Sequence, residues 1–199
     1  TQLSVLNAPA AEALRAVTGA TRVVLAREMR LEDIAALRRA LSPDMALEAF
    51  VHGAMCVAYS GRCLLSAALT GRSANRGACA QPCRWRYHLM EEKRPGEYLP
   101  VYEDERGTYL YSAGDLCMIG HLDRLRDAGV ASLKIEGRMK TAYYVATVVS
   151  AYRRALDLLE REGAEAYRRA VPELLAEVRK ASHRTLTTGF YFGPPETPG

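Results

Sequence analysis

Short apolar runs alternate with amphipathic segments toward both ends of the chain. The runs are rich in β-branched and aliphatic residues, as buried strands are, and they fall at 3–6, 23–26, 46–51 and 132–135. Apolar positions at helical spacing predict helices over 8–17, 31–41, 121–128, 142–162 and 166–180, the last divided by Pro172. A strand edge is predicted at 189–195. This β-α rhythm, with about twenty residues in each unit, predicts an α/β fold with a parallel sheet.

The middle of the chain interrupts this rhythm with a segment that contains all five cysteines, at positions 56, 63, 79, 83 and 117. We therefore divide the chain into a βαβα portion at 1–55, a cysteine-rich insert at 56–120, and a last portion at 121–199 that holds the final strand and the long helices. Four parallel strands fit an open sheet or the later strands of a TIM-like β/α barrel, since a closed barrel needs eight strands and about 250 residues. The abrupt start at Thr1 favours the barrel.

Polar side chains follow three of the predicted strands. In either architecture functional groups gather at the carboxyl ends of the strands. The residues at these ends are Arg27 and Glu28, then His52, then Glu136 and Arg138. Carboxylates and imidazoles transfer protons in many active sites, so the candidate acid–base residues are Glu48, His52 and Glu136.

Composition narrows the class of protein. With 49% hydrophobic and 25% charged residues, the chain is too apolar for a disordered protein. It contains no apolar run near the roughly 20 residues of a membrane span and no secretory signal, so we expect a cytoplasmic protein without membrane contact.

Basic residues are concentrated in one segment, although the net charge is only +4. Residues 72–86 contain four arginines and no acid: Arg72, Arg76, Arg84 and Arg86. Trp85 and Tyr87 lie among them, and aromatic rings next to guanidinium groups are typical of single-stranded RNA binding. The same arginines also suit an anionic small substrate or the charge of metal-bound thiolates.

The cysteines predict a metal or redox site. Five is an odd number, and a central group of cysteines in a cytosolic protein indicates metal binding before disulfides. Only Cys79 and Cys83 have the spacing of a zinc site, whereas thiolates scattered along the sequence suit an iron–sulfur cluster at least as well. Two alternatives stay open: some cysteines are simply buried core residues, or Cys56 forms a nucleophile pair with His52, four residues away.

Several longer stretches carry a family resemblance. They are E-A-F-V-H-G-A-M-C at 48–56, G-R-C-L-L-S at 61–66, R-S-A-N-R-G-A-C-A-Q-P-C-R-W at 72–85, D-L-C-M-I at 115–119, S-L-K-I-E-G-R-M-K at 132–140, H-R at 183–184 and G-F-Y-F-G at 189–193. Together they resemble the collagenase-like peptidase family U32, whose catalytic type is unassigned. The stretches at 75–85 and 134–140 are most similar to the branch that hydroxylates the wobble uridine of tRNA.

The resemblance implies a barrel whose first half lies upstream of Thr1. It also implies a four-iron four-sulfur cluster, with zinc as the alternative metal, and the metal ligands Cys56, Cys63, Cys79 and Cys117. Cys83 is close enough to Cys79 in the sequence to replace it as a metal ligand. Members of the family are described as collagen-degrading peptidases, or as iron–sulfur proteins that hydroxylate RNA, with prephenate as the hydroxyl source, or the ubiquinone ring.

Three functional hypotheses follow. In the first, the protein is an iron–sulfur RNA hydroxylase whose dicarboxylate donor and RNA phosphates are bound by Arg62, Arg72, Arg76, Arg84, Arg138 and Lys140, with a possible protein partner for electrons. In the second, the protein is a peptidase, although the sequence contains no recognisable catalytic triad. In the third, the cysteines form a structural zinc site in a binding module.

Overall fold

A computed structural model describes residues 3–56, 58–85, 88–89, 93, 95–96, 99–100 and 114–193. The elements follow in the order α1 (Ala8–Thr18), β1 (Arg22–Val24), α2 (Leu31–Ala40), β2 (Ala46–Ala54), α3 (Leu65–Thr70), β3 (His88–Leu89), β4 (Leu99–Pro100), β5 (Asp115–Cys117), α4 (Leu122–Asp127), β6 (Val130–Ile135), α5 (Ala142–Arg161), α6 (Gly163–Val178) and β7 (Leu186–Thr187). Two 3-10 turns, Ala74–Arg76 and Pro82–Arg84, lie in the cysteine-rich segment.

The main sheet is organised around β2. This strand pairs in parallel with β1 and β6 and antiparallel with β5, and β7 pairs in parallel with β5. β3 and β4 form a separate antiparallel pair. The predicted α/β class is confirmed, but the sheet of the described residues is mixed and is not a closed barrel, so the TIM-like part of the prediction is not confirmed.

The mixed sheet arises because the cysteine-rich segment contributes a strand to it. Asp115, Leu116 and Cys117 pair with Ala54, Gly53 and His52 of β2. Three residues are too short to show a period, and the pairing depends on a partner about sixty positions away, so no local pattern indicates β5.

Three other sequence predictions differ from the structure. Residues 3–6 do not form a strand, because Ser4 has a left-handed φ of 50° that interrupts the extended backbone. In the predicted strand edge, residues 189–193 form turns, with a left-handed φ of 57° at Gly189, and the strand lies just before them as β7. Residues 194–195 lie outside the described residues. α6 continues through Pro172, since Tyr167, Leu174 and Val178 on the same helix are buried in the core.

The long helix α5 forms the layer that packs on the sheet. Its N-terminus is capped by Thr141, whose hydroxyl accepts the Tyr144 N–H at 3.2 Å. The buried side chains recur at helical spacing and are Tyr144, Val148, Ala151, Tyr152, Ala155 and Leu159. The Tyr152 hydroxyl donates to the Val51 carbonyl at 2.7 Å and accepts the Met118 N–H at 3.1 Å, so this helix is hydrogen-bonded to both β2 and the end of β5.

Gly53 brings the end of β2 against the residue that follows β6. It has a φ of 103°, and a Cβ at this position would collide with the carbonyl oxygen of Glu136 and lie 3.0 Å from its Cβ. The Glu136 N–H donates to the His52 carbonyl at 2.9 Å across the same contact. Only glycine allows the two strand ends to approach this closely.

We expect Gly53→Ala to destabilise the protein by about 3 kcal/mol, because it combines a left-handed backbone with a steric collision. Gly19→Ala is the matched control, since Gly19 has a φ of 69° and a Cβ added there would meet no heavy atom within 4 Å; its loss is expected at about 1 kcal/mol. Denaturant unfolding measures both. Equal losses for the two variants would show that the contact with Glu136 contributes nothing.

His52 is a buried core residue between β2 and α5. It is 1% exposed, and its Nδ1 lies 3.3 Å from the Tyr152 hydroxyl. Since that hydroxyl gives its proton to the Val51 carbonyl, the His52 Nδ1–H donates to the hydroxyl oxygen. Burial lowers the pKa of His52 to about 4; Asp115 opposes this shift, and Lys140 and His183 add to it.

The lowered pKa of His52 makes stability depend on pH with a defined sign. Between its unfolded pKa of 6.5 and its folded pKa of about 4, the unfolded chain binds a proton that the folded protein does not. The free energy of unfolding therefore falls as the pH drops through this window, by up to about 3 kcal/mol from His52.

We expect His52→Gln to remove this part of the pH dependence. Unfolding curves from pH 7 to pH 4 for both proteins provide the measurement, and the difference between them isolates His52 because the carboxylates titrate in both. Two curves that stay parallel over the whole range would contradict the assignment.

Candidate functional site

A cavity of about 330 Å³ lies at the carboxyl ends of β1, β2 and β6, with Val24, Ala54 and Glu136 among its walls. Four of the five cysteines line it: Cys56, Cys63, Cys79 and Cys83. They come from three separate segments, namely the end of β2, the loop before α3 and the stretch that leads into the second 3-10 turn. The fold thus gathers thiols that are up to 27 positions apart in the sequence into one space.

The loop from Cys56 to Cys63 is fixed by hydrogen bonds at two points. The carboxylate of Glu28, just beyond β1, accepts the Ser60 N–H at 2.7 Å and the Ser60 hydroxyl at 3.1 Å. The side-chain oxygen of Asn75 accepts the N–H of Cys63 itself at 3.1 Å. Both anchors lie outside the loop, so the loop takes its shape from the strand end and the first 3-10 turn.

The segment that carries Cys79 and Cys83 is anchored in the same way. The hydroxyl of the fully buried Ser66 accepts the Ala80 N–H at 3.1 Å, and the Gln81 N–H donates to the Cys79 sulfur at 3.2 Å. Gln81 has a left-handed φ of 56°, which turns the chain into the Pro82–Arg84 turn that presents Cys83.

Burial and nearby cations shift the pKa of two of these thiols in opposite directions. Burial raises the pKa of the Cys56 thiol, and the guanidinium of Arg27 opposes this shift. Burial likewise raises the pKa of the Cys83 thiol, opposed by Arg84, while the neighbouring cysteines raise it further. Burial thus favours the protonated form of these two thiols, whereas the cations favour the thiolate form that a metal requires.

Cys117 occupies a different part of the molecule. It is 7% exposed in β5, opposite His52, and it lies in the core near Tyr152 of α5. Burial raises the pKa of its thiol. It is absent from the cavity wall, so of the four ligands that the resemblance implies, the structure brings Cys56, Cys63 and Cys79 together and adds Cys83.

The four thiols surround the cavity and do not meet at a point. Within the described residues, no three His, Cys, Asp or Glu side chains lie close enough together to hold a metal ion. A tetrahedral zinc ion with Zn–S distances of about 2.3 Å needs its sulfurs about 3.8 Å apart. An iron–sulfur cluster takes four thiolates around its own volume, so an all-thiol set spread over a cavity wall fits such a group.

Two cations of the cavity wall were not among the predicted binding residues. Arg27 lies with its guanidinium 3.8 Å from the centre of the Phe50 ring and 3.7 Å from Glu136, and its side chain is 12% exposed. Burial lowers the pKa of Arg27, opposed by Cys56 and Glu136. Lys134 lies 5.7 Å from the same ring. In the sequence, Arg27 directly follows the predicted strand at 23–26, and this position indicates a residue at the edge of the site.

The three acid–base candidates have different surroundings. Glu136 lines the cavity, and its carboxylate also accepts the Arg138 N–H at 2.9 Å. Glu48 is instead bound by the Ser132 hydroxyl at 2.9 Å and by Lys134 at 3.0 Å; burial raises its pKa, but these contacts outweigh burial and lower it overall. His52 lies in the core beside Tyr152. Of the three, Glu136 is the one that lines the cavity.

The predicted basic binding residues divide into two groups. Arg84 and Arg138 line the cavity, whereas Arg62, Arg72 and Arg76 are exposed on the cysteine-bearing loops. Lys140 lies behind the cavity, where its Nζ donates to the Ser182 carbonyl at 3.1 Å and faces the Tyr144 ring at 4.9 Å. Trp85 is half-exposed, and Arg86 and Tyr87 lie outside the described residues.

The helices give no indication of a membrane segment: in the described part of the chain, none is both long enough and apolar enough to cross a bilayer.

Comparison with known proteins identifies the family of this chain. The profile of peptidase family U32 matches residues 1–199. The chain is 39% identical to the tRNA hydroxylation protein P of Escherichia coli, over 86% of this chain and 45% of that protein. It is 46% identical to the 23S rRNA 5-hydroxycytidine C2501 synthase of E. coli, over 72% of this chain and 21% of the synthase.

A third relative carries a different name. The chain is 39% identical to a collagenase of Porphyromonas gingivalis, over 79% of this chain and 38% of that protein. No solved structure matches the chain. The chain spans less than half the length of these relatives. The family profile covers every residue of the chain, which confirms the resemblance of the motifs. The chain therefore belongs to peptidase family U32.

Proposed function

We propose that the chain is the cysteine-bearing part of an RNA-modifying hydroxylase that holds an iron–sulfur cluster. The observation that carries this proposal is the convergence of four thiols from three segments on one cavity at the strand ends. The names of two relatives, a tRNA hydroxylation protein and an rRNA hydroxycytidine synthase, support RNA as the substrate class.

The ligands that the geometry favours are Cys56, Cys63, Cys79 and Cys83. An iron–sulfur cluster, when bound, supplies one-electron redox chemistry at a potential that its surroundings tune. Cys117 is the alternative fourth ligand from the family resemblance, but to reach the cavity it would have to leave its buried position in the packed core.

The cavity also suits an anionic small molecule, which we propose to be the hydroxyl donor, a dicarboxylate such as prephenate. Four cations line the wall: Arg27, Arg84, Lys134 and Arg138. Glu136 is the carboxylate among the lining residues. If the thiols are left out, the described wall therefore carries more positive than negative charge. Guanidinium groups bind carboxylates in bidentate geometry, and Glu136 is available to accept a proton from a bound molecule.

The exposed arginines provide the proposed RNA contact. Arg62, Arg72 and Arg76 lie on the loops that carry the cysteines, and the half-exposed Trp85 follows the last of them. Exposed arginines bind phosphates without regard to sequence, and an exposed indole offers a surface on which an unpaired base stacks. RNA bound to these loops would lie next to the cavity.

A peptidase is the second candidate, favoured by the collagenase among the relatives. His52, the predicted partner of a cysteine nucleophile, bonds to Tyr152 in the core. Cleavage of denatured collagen by the purified protein, blocked by a thiol reagent, would support the peptidase over the hydroxylase.

The cysteine ligands are tested by anaerobic reconstitution with iron and sulfide, followed by metal analysis and absorbance in the thiolate-to-iron charge-transfer region. We expect the wild-type protein to become brown, Cys83→Ala to lose most of its iron, and Cys117→Ala to keep it. Both variants replace a cysteine by alanine, so each is a control for the general effect of losing one thiol. The reverse result would assign the fourth ligand to Cys117, and a colourless protein with one zinc would indicate a structural metal site.

The RNA contact is tested with the double variant Arg72→Ala/Arg76→Ala. We expect weaker tRNA binding and a shallower dependence of affinity on salt, by about 0.7 in the log–log slope for each phosphate that is no longer bound. Arg161→Ala/Arg169→Ala, on the exposed faces of α5 and α6, removes the same charge elsewhere. Fluorescence anisotropy at several salt concentrations provides the measurement, and equal losses of affinity in both variants would show that only net charge matters.

A further inference from the structure

Asp115 is a buried carboxylate behind the cavity, at the start of β5. It is 1% exposed, and each of its oxygens has a partner. Oδ1 accepts from the Arg84 guanidinium at 2.6 Å, and Oδ2 accepts the Arg184 N–H at 3.0 Å and lies 3.9 Å from the Lys140 ammonium. Burial alone would raise the pKa of Asp115, but Arg84 and the Arg184 N–H outweigh it and lower the pKa.

The main partner of Asp115 connects two of the cysteine segments. Arg84 directly follows Cys83 in the second 3-10 turn. Its other terminal nitrogen donates at 3.3 Å to the carbonyl of Met55, the residue before Cys56. One guanidinium therefore ties the Cys83 turn to the end of β2, and Asp115 fixes that guanidinium to β5.

The other cysteine segments have anchors of their own. Glu28 holds the Cys56–Cys63 loop, Asn75 holds Cys63, and Ser66 holds the backbone beside Cys79. In the Cys83 turn, the N–H groups of Arg84 and Trp85 donate within the turn itself, to the carbonyls of Gln81 and Pro82. Arg84 makes long-range polar contacts from this turn through its guanidinium, and its carbonyl also accepts from the Arg184 guanidinium at 3.1 Å.

We propose that Asp115 is a positioning residue that places Cys83 at the cavity by fixing Arg84. The inference rests on the proposed function only in giving Cys83 a role as a ligand; the positioning itself is a property of the metal-free protein. Asparagine at 115 would still accept the Arg184 N–H, but it would leave Arg84 and Lys140 facing a neutral amide in a buried site.

Thiol alkylation of the metal-free, reduced protein tests the positioning directly. Mass spectrometry gives the rate for each cysteine in wild type, Asp115→Asn and Arg84→Lys. We expect Cys83 to react several-fold faster in both variants, with Cys117 unchanged. Arg84→Lys keeps every charge but cannot reach both Asp115 and Met55, so its result separates a change of position from a change of thiol ionisation.

Cys117 and Asp123 supply the controls. Cys117 lies in β5 with Asp115, so an equal rise in both rates would mean that the strand has opened and would overturn the inference. Asp123 is also buried and accepts two bonds from Arg168, at 2.9 and 2.6 Å, in α4 away from the cavity wall. Asp123→Asn should lose stability without changing the Cys83 rate.

Iron content after reconstitution separates this inference from the proposed function. A wild-type protein that binds no iron, together with faster Cys83 alkylation in the variants, would refute the cluster and leave the positioning role intact. Wild-type iron binding with unchanged Cys83 rates in Asp115→Asn and Arg84→Lys would overturn the positioning role. If Asp115→Asn fails to fold, the alkylation rates of Cys83 and Cys117 in Arg84→Lys alone test the positioning role.

Discussion

Buried polar anchors determine the shape of the cysteine-bearing loops, and the cavity depends on them. The large apolar side chains of this segment are mostly exposed, as Tyr59, Leu64 and Leu69 show at 76%, 74% and 50%. Its buried residues are small, so the segment has too little apolar surface to fix its own backbone against the entropy of a free loop. Hydrogen bonds accepted by Glu28, Ser66, Asn75 and Asp115 replace that missing core.

Much of the fold follows from local patterns. The helices α1, α2 and α5 begin and end within one or two residues of their predicted bounds, because each has an apolar face at regular spacing that needs no knowledge of its partner. β2 and β6 were predicted for a similar reason, as short apolar runs between turns. β5 was not, since its three residues form a strand only because β2 offers them a hydrogen-bonding edge.

The candidate site was less accessible to sequence reasoning. The concentration of cysteines indicated a metal or redox site, but spacing alone does not distinguish Cys83 from Cys117. In the structure Cys83 lines the cavity, whereas Cys117 is buried in the core near Tyr152, which follows it by 35 positions in the sequence. His52 shows the same limit: its nearness to Cys56 in sequence suggested a nucleophile pair, whereas the strand presents it to the tyrosines of α5.

Three of the four cations around the cavity are paired with an acid. Arg84 is paired with Asp115, Lys134 with Glu48, and Arg27 with Glu136. An unpaired guanidinium as enclosed as Arg27 would be costly, and a fully neutralised one would attract no anion. Pairing on one side stabilises each of these cations and fixes its direction, so the proposed anionic ligand would require little reorganisation on binding. The same pairs join the strands to the loops, which makes the electrostatics of the cavity and the fold of its walls a single network.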